Sequence, residues 1–157
     1  MTAMHRILSA FITAALLLLP VSLGYAEKGR DLSKLRPCKI VTGKDVVSIA
    51  KGKLMSDPLG GSSACSYLIE LSNGEVESYG LSFQPADAIE AMLKVQSPAE
   101  KGERVSGLWD DAYVSKRFMA SGFSLVVLRR GDMALEVTGE RKDVLIAVAK
   151  LAISRLK

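Results

Sequence analysis

Two stretches of strict alternation on either side of Asn73-Gly74 constrain the fold of this 157-residue chain more than any other feature. Cys65, Tyr67, Ile69 and Leu71 share one side of the first, and Tyr79, Leu81 and Phe83 share one side of the second. A period of two is the pattern of a strand with one face buried, and Asn-Gly between two such strands is a strong hairpin signal. Loop length then decides which faces coincide. A two-residue turn at Asn73-Gly74 would pair Tyr67 with Gly80 and send the two apolar sets to opposite sides. A three-residue loop, Ser72 to Gly74 with Gly74 left-handed, would pair Tyr67 with Tyr79 and Cys65 with Leu81. Since a one-residue slip inverts a strand's faces, burying both sets together favours the longer loop.

The flanking segments complete an α+β pattern. Thr42 offers an N-cap, Asp45 suits the positive end of the helix, Val46, Ile49 and Ala50 form an apolar stripe, and Gly52 is placed to end the helix. Lys53 to Ser63 reads as loop. Its Gly60-Gly61-Ser62-Ser63 fails as a phosphate loop, because no lysine follows in place and a strand rather than a helix comes next. Pro85 and Asp87 open a second helix with Ile89, Met92 and Leu93 on its buried side; Ser97-Pro98 closes it, and a charged connector follows through Glu100, Lys101, Glu103 and Arg104.

Strands are expected at Val105–Leu108 and Ala112–Val114 around an Asp110-Asp111 turn, then at Ser124–Arg129 and Met133–Thr138 around Arg130-Gly131-Asp132. A last helix runs from about Lys142 to Leu156, with Val144, Leu145, Val148, Leu151, Ala152 and Leu156 on one side. The expected fold is an antiparallel sheet of about five to six strands with three helices mainly on one face, in the order α-β-β-α-β-β-β-β-α.

The N-terminus bears on compartment. His5 and Arg6 precede an apolar run from Ile7 to Leu19, and Pro20 and Gly24-Tyr25-Ala26 follow it. The run is shorter than the roughly 20 residues of a membrane span. Small residues at Gly24 and Ala26 suit a signal peptidase, so residues 1–26 read as a cleaved signal peptide. Residues 27–36 then form an extension and 37–157 a single domain of a periplasmic or secreted, soluble protein. In an oxidising compartment the even pair Cys38 and Cys65 reads as a disulfide. Neither C-x-x-C spacing nor further His or Cys ligands exist to suggest a redox or zinc site.

Short motifs carry a resemblance. Arg36-Pro37-Cys38, a short helix, a Gly/Ser loop and then Ala64-Cys65-Ser66-Tyr67 resemble a family of small exported bacterial domains of unknown function, best represented by actinobacterial lipoproteins. Gly107-Leu108-Trp109-Asp110-Asp111-Ala112-Tyr113 is similar to that family's Gly-x-x-Asp-x-Ala-Tyr segment, and a strand hairpin with a closing helix follows in both. The resemblance covers about Leu35 to Leu156 and implies a Cys38–Cys65 bridge and an architecture, without a chemistry. Trp109 stands where the family has glycine, and the lipid-bearing cysteine is missing.

Composition narrows the chemistry. His5 is the only histidine, so the mature chain lacks the side chain most used for proton transfer near neutrality and for binding transition metals. No metal site or cofactor is implied. A serine nucleophile would need lysine as its base, and Ser48-Ile49-Ala50-Lys51 matches that spacing only by letter, on a short surface helix. Asp110 and Asp111 would point to opposite faces of a strand and read as a solvated turn. Beyond residue 26 the chain has 20 basic and 17 acidic residues spread along its length, without the stripe expected of a nucleic-acid binder.

The aromatic second half is the better lead. Trp109 and Tyr113 precede Lys116-Arg117-Phe118-Met119-Ala120-Ser121-Gly122, a loop with neither alternation nor helix caps. Trp109, Tyr113, Lys116, Arg117, Phe118 and Met119 are therefore the candidate binding surface, for an envelope protein, an amphipathic ligand or, weakly, an anionic membrane. The expected function is a non-enzymatic binding or accessory protein of the bacterial cell envelope. The alternatives are a small envelope enzyme without histidine chemistry and a membrane-surface binder.

Overall fold

The structure, a computed structural model, describes residues 30–117 and 120–156. The expected signal peptide, and Phe118 and Met119 of the candidate surface, lie outside the described residues. After a 3-10 turn at Leu32–Lys34, the chain forms α1 (Pro37–Ile40), α2 (Gly43–Ala50), β1 (Gly52–Leu54) and β2 (Leu59–Gly60). The hairpin strands β3 (Ala64–Leu71) and β4 (Val76–Pro85) lead into α3 (Ala86–Val95), α4 (Pro98–Lys101) and β5 (Glu103–Arg104). The remainder is β6 (Asp111–Lys116), β7 (Phe123–Arg129), β8 (Met133–Gly139) and α5 (Lys142–Arg155).

All pairings are antiparallel, in one eight-stranded sheet ordered β1-β3-β4-β8-β7-β6-β5 with β2 also on β3. The first hairpin has the register that burial of both apolar sets favours: Tyr67 opposes Tyr79, Cys65 opposes Leu81, and Gly74 is left-handed at φ 82°. Strands β6, β7 and β8 form a meander, and β8 returns beside β4 to join the two halves.

The α+β class and antiparallel sheet agree with the sequence, but eight strands replace five or six and five helices replace three. The additions are short. β1 and β2 occupy the stretch expected as loop, held by pairing to β3. Ser97-Pro98 opens α4 rather than closing α3, through a capping box with Glu100. The strand expected at Val105–Leu108 lies instead at Glu103–Arg104. Lys51, not Gly52, takes the left-handed position after α2, at φ 59°.

Three helices share one face and α3 lies on the other. α1, α2 and α5 cover the face carrying Cys65, Tyr67, Ile69, Tyr79, Leu81, Leu125, Val127, Leu135 and Val137. α3 packs on the other, where Ala86 and Ile89 meet Leu128 and Ala134. The reason is local: Leu125 to Leu128 and Met133 to Leu135 are apolar without alternation, the mark of strands buried on both sides.

Polar clasps fix the helices on the sheet. Cys38 and Cys65 form the disulfide that ties α1 to β3, with Cα atoms 5.2 Å apart. The buried Tyr67 hydroxyl donates to the Val41 carbonyl at 2.6 Å. Arg155 donates to Asp45 and to the Ile40 carbonyl, joining both ends of the helical layer. At the start of α5, Arg141 pairs with buried Glu77 at 2.9 Å and donates to the Ala50 carbonyl at 2.7 Å, while Tyr79 donates to the same carboxylate at 2.6 Å. Burial raises both tyrosines above their ordinary pKa, and the Glu77 hydrogen bond adds to the shift at Tyr79.

Candidate functional site

α3 covers only one corner of its face, and the rest of that face is open. Successive register pairs carry a polar row across it: Ser115 on β6 opposes Ser124 on β7, Ser124 opposes Thr138 on β8, Thr138 opposes Gly80 on β4, and Gly80 opposes Ser66 on β3. Glu136 lies one row away, two residues before Thr138. Its carboxylate accepts from Ser124 Oγ at 2.8 Å and from Gln84 Nε2 at 2.7 Å.

A wall rises beside this floor. The Ser97–Glu100 capping box holds α4, and hydrogen bonding from the Ser97 side chain and backbone keeps the Glu100 carboxyl below the ordinary carboxylate range. Gly102 then turns at φ 83°, and a side chain there would run into the Val114 carbonyl and the Ser115 backbone. Only glycine permits that approach, which lays Glu103 against β6 as an edge strand. Across the cleft, Lys142 at the start of α5 pairs with Glu103 at 2.8 Å and places its ammonium 5.2 Å from the centre of the Phe123 ring. The lysine hydrogen bond lowers the Glu103 pKa.

Wall and floor enclose an open cleft of about 960 Å³, lined in part by Ser115, Ser124, Thr138, Glu136, Phe123 and Lys116. Arg117 also lines it, and its backbone N–H closes the β6–β7 loop on the Gly122 carbonyl at 3.1 Å. Lys116 and Arg117 are exposed, and neither has an ion-pair partner among the described residues.

The four described residues of the sequence-derived surface, Trp109, Tyr113, Lys116 and Arg117, do not form one patch. Trp109 lies before β6, packed on the main core with the Arg129 guanidinium 6.0 Å from its ring centre. Tyr113 is half-buried on the other face, in a shallow hollow beside α3 with Leu93 and Arg130. Lys116 and Arg117 sit at the far end of the same strand, on the order of 20 Å from Trp109. Of the four described residues of that surface, these two reach the cleft.

The Asp110-Asp111 pair is a solvated turn only in part: Asp110 is exposed at the end of a turn, whereas Asp111 opens β6. Asp110 accepts from the Arg130 backbone N–H at 2.8 Å, and the half-buried Asp111 pairs with Arg104 and Arg130. Both carboxylates therefore staple strands together. The turn lies at Ser106–Asp110 instead, with Gly107 left-handed at φ 77°.

Sequence reasoning missed Ser115, Ser124, Glu136, Thr138, Glu103 and Lys142. One signal was available: Glu136 is a lone carboxylate inside the apolar run Met133-Ala134-Leu135-Glu136-Val137. Among the described residues no three His, Cys, Asp or Glu side chains gather as a metal site, and no helix is long and apolar enough to cross a membrane. No protein-family model matches the chain, nor does any curated protein or solved structure.

Proposed function

We propose that this protein is an exported binding or accessory domain of the bacterial cell envelope, holding its ligand or partner in the cleft beside β6. The observation that carries the reading is the open cleft of about 960 Å³, which combines a half-buried carboxylate, a hydroxyl row and two cations without partners among the described residues. Concave sites with a few converging polar groups are where small molecules and peptide segments bind. Export rests on the N-terminal pattern of residues 1–26, and the Cys38–Cys65 disulfide is what an oxidising compartment favours. In the same reading the chain is kin to the exported domains its Pro-Cys, Cys-x-Tyr and Asp-x-Ala-Tyr motifs resemble.

Affinity capture from the native envelope with the wild type and a Lys116→Glu/Arg117→Glu variant tests this. Both side chains are exposed, so the variant should melt like the wild type within about 0.5 kcal/mol. A component kept by the wild type and lost by the variant supports the cleft; identical retained sets overturn it. The exposed pair also favours contact with an anionic membrane surface as a second reading. That contact would appear as binding to anionic vesicles that fades with salt.

A further inference from the structure

Resting on the cleft as the binding site, we propose that its ligand carries a guanidinium or ammonium group seated on Glu136. The side chain rises from a central strand, between the apolar corner under α3 and the hydroxyl row of Ser115, Ser124 and Thr138. It is half-buried, yet its two hydrogen bonds come from neutral donors, Ser124 Oγ to one carboxylate oxygen and Gln84 Nε2 to the other. Those donors fix the carboxylate plane and leave its charge in place, and each oxygen retains acceptor capacity on the cleft side.

Three shielded carboxylates elsewhere have their own arginines: Glu77 with Arg141, Asp45 with Arg155, and Asp111 with Arg104 and Arg130. Among the described residues the half-buried Glu90 and Glu140, by contrast, lie outside the cleft and accept from backbone N–H groups. Glu136 has no such partner among the described residues. Lys142 is engaged with Glu103 and stacked on Phe123. In register terms Lys116 lies three residues along and two strands across from the position opposite Glu136, about 14 Å away, beyond the screening length of exposed charges at physiological salt. Partial burial of an unpaired carboxylate is unfavourable unless a cation arrives to meet it. A planar guanidinium can bridge both oxygens, and an ammonium can share its three donors among Glu136 and the neighbouring hydroxyls.

The test follows backbone amide shifts of the isotope-labelled protein with four probes at millimolar concentration. N-acetyl-argininamide is paired with its neutral analogue N-acetyl-citrullinamide, and glucosamine with N-acetylglucosamine. At least one cation should move the amides of Ser115, Ser124, Glu136 and Thr138 and bind at least about tenfold more tightly than its neutral analogue. Which cation binds separates a guanidinium ligand from an amino-sugar ammonium. Glu136→Gln should abolish the preference, whereas Ser124→Ala should weaken binding while keeping it. Neutral analogues binding as well as the cations would overturn the charge assignment and leave the cleft standing as a site. Failure of both cations to move these amides would overturn it too, and the capture comparison would still judge the cleft separately. Retention of the preference by Glu136→Gln would place the cation elsewhere.

Discussion

Replacing Arg141 with methionine should expose how the helical layer is locked to the sheet. The guanidinium meets the Glu77 carboxylate through two nitrogens, both at 2.9 Å, and donates to the Ala50 carbonyl at 2.7 Å. Glu77 is only 7% exposed, so without Arg141 its charge would be stranded. Removing one partner of a buried pair typically costs about 3–5 kcal/mol. Here the arginine side chain is 36% exposed, so water can replace part of what is lost. We expect a loss of about 2–3 kcal/mol, of which roughly 1 belongs to the Ala50 carbonyl bond. For a domain of this size that is a fall of roughly 8–12 °C in Tm.

The sign of a second substitution makes the prediction sharp. Glu77→Gln keeps an acceptor for the Tyr79 hydroxyl but removes the charge. In the wild type it should destabilise by about 1–2 kcal/mol, because the ion pair is lost. In the Arg141→Met background it should instead stabilise by about 1 kcal/mol, because no buried charge remains uncompensated. Urea unfolding of the four proteins, followed by circular dichroism, gives the complete cycle. If Glu77→Gln destabilises equally in both backgrounds, the two residues are uncoupled and the reasoning fails.

Three further outcomes can be measured on the same material. The Cys38–Cys65 bridge, with a sequence separation of 27, should contribute about 3–4 kcal/mol, so reduction should lower the urea midpoint; two titratable thiols in protein purified without reductant would refute the bridge. Hydrogen bonding to Arg155 holds the Asp45 carboxyl well below its ordinary value. Its contribution should therefore be complete above the unfolded carboxylate pKa of about 4 and be lost as pH falls below that, and Asp45→Asn should flatten this acid limb in a pH series of melts. Gly102→Ala should cost at least about 2 kcal/mol and release β5 by amide exchange, whereas Gly61→Ala, with open space around it, should stay within about 0.5 kcal/mol.

Where a pattern is local, the residues announce the fold. The first hairpin was legible to its register because three local constraints coincide: alternation on both strands, a glycine able to turn left-handed, and an apolar set that must face one way. The Thr42 N-cap of α2 and the stripe of α5 are of the same kind. β1, β2 and β5 were not legible. At two or three residues each, they have too little sequence to show a period and exist because a longer strand offers an edge. The side taken by α3 was legible but went unread: two unbroken apolar runs in β7 and β8 require cover on both faces, and counting alternating positions alone hides that requirement.

The cleft could not be read from the chain because no segment of the sequence contains it. Ser115, Ser124 and Thr138 become neighbours only when three strands align, and Glu136 becomes a recessed carboxylate only when Gln84 arrives from a strand 52 residues away. A search for unusual runs finds the Lys116–Gly122 loop, since unusual composition is visible along one dimension. It passes over serines and threonines at outward strand positions, which look like ordinary solvated faces. What marks them as a site is that α3 stops short of them while α4 and Gly102 build a wall beside them. A lone charged residue inside an apolar strand is the one trace such a site leaves in sequence. In this chain Glu136 is that residue, so its substitution, more than that of any aromatic in the loop, separates a binding face from a merely exposed one.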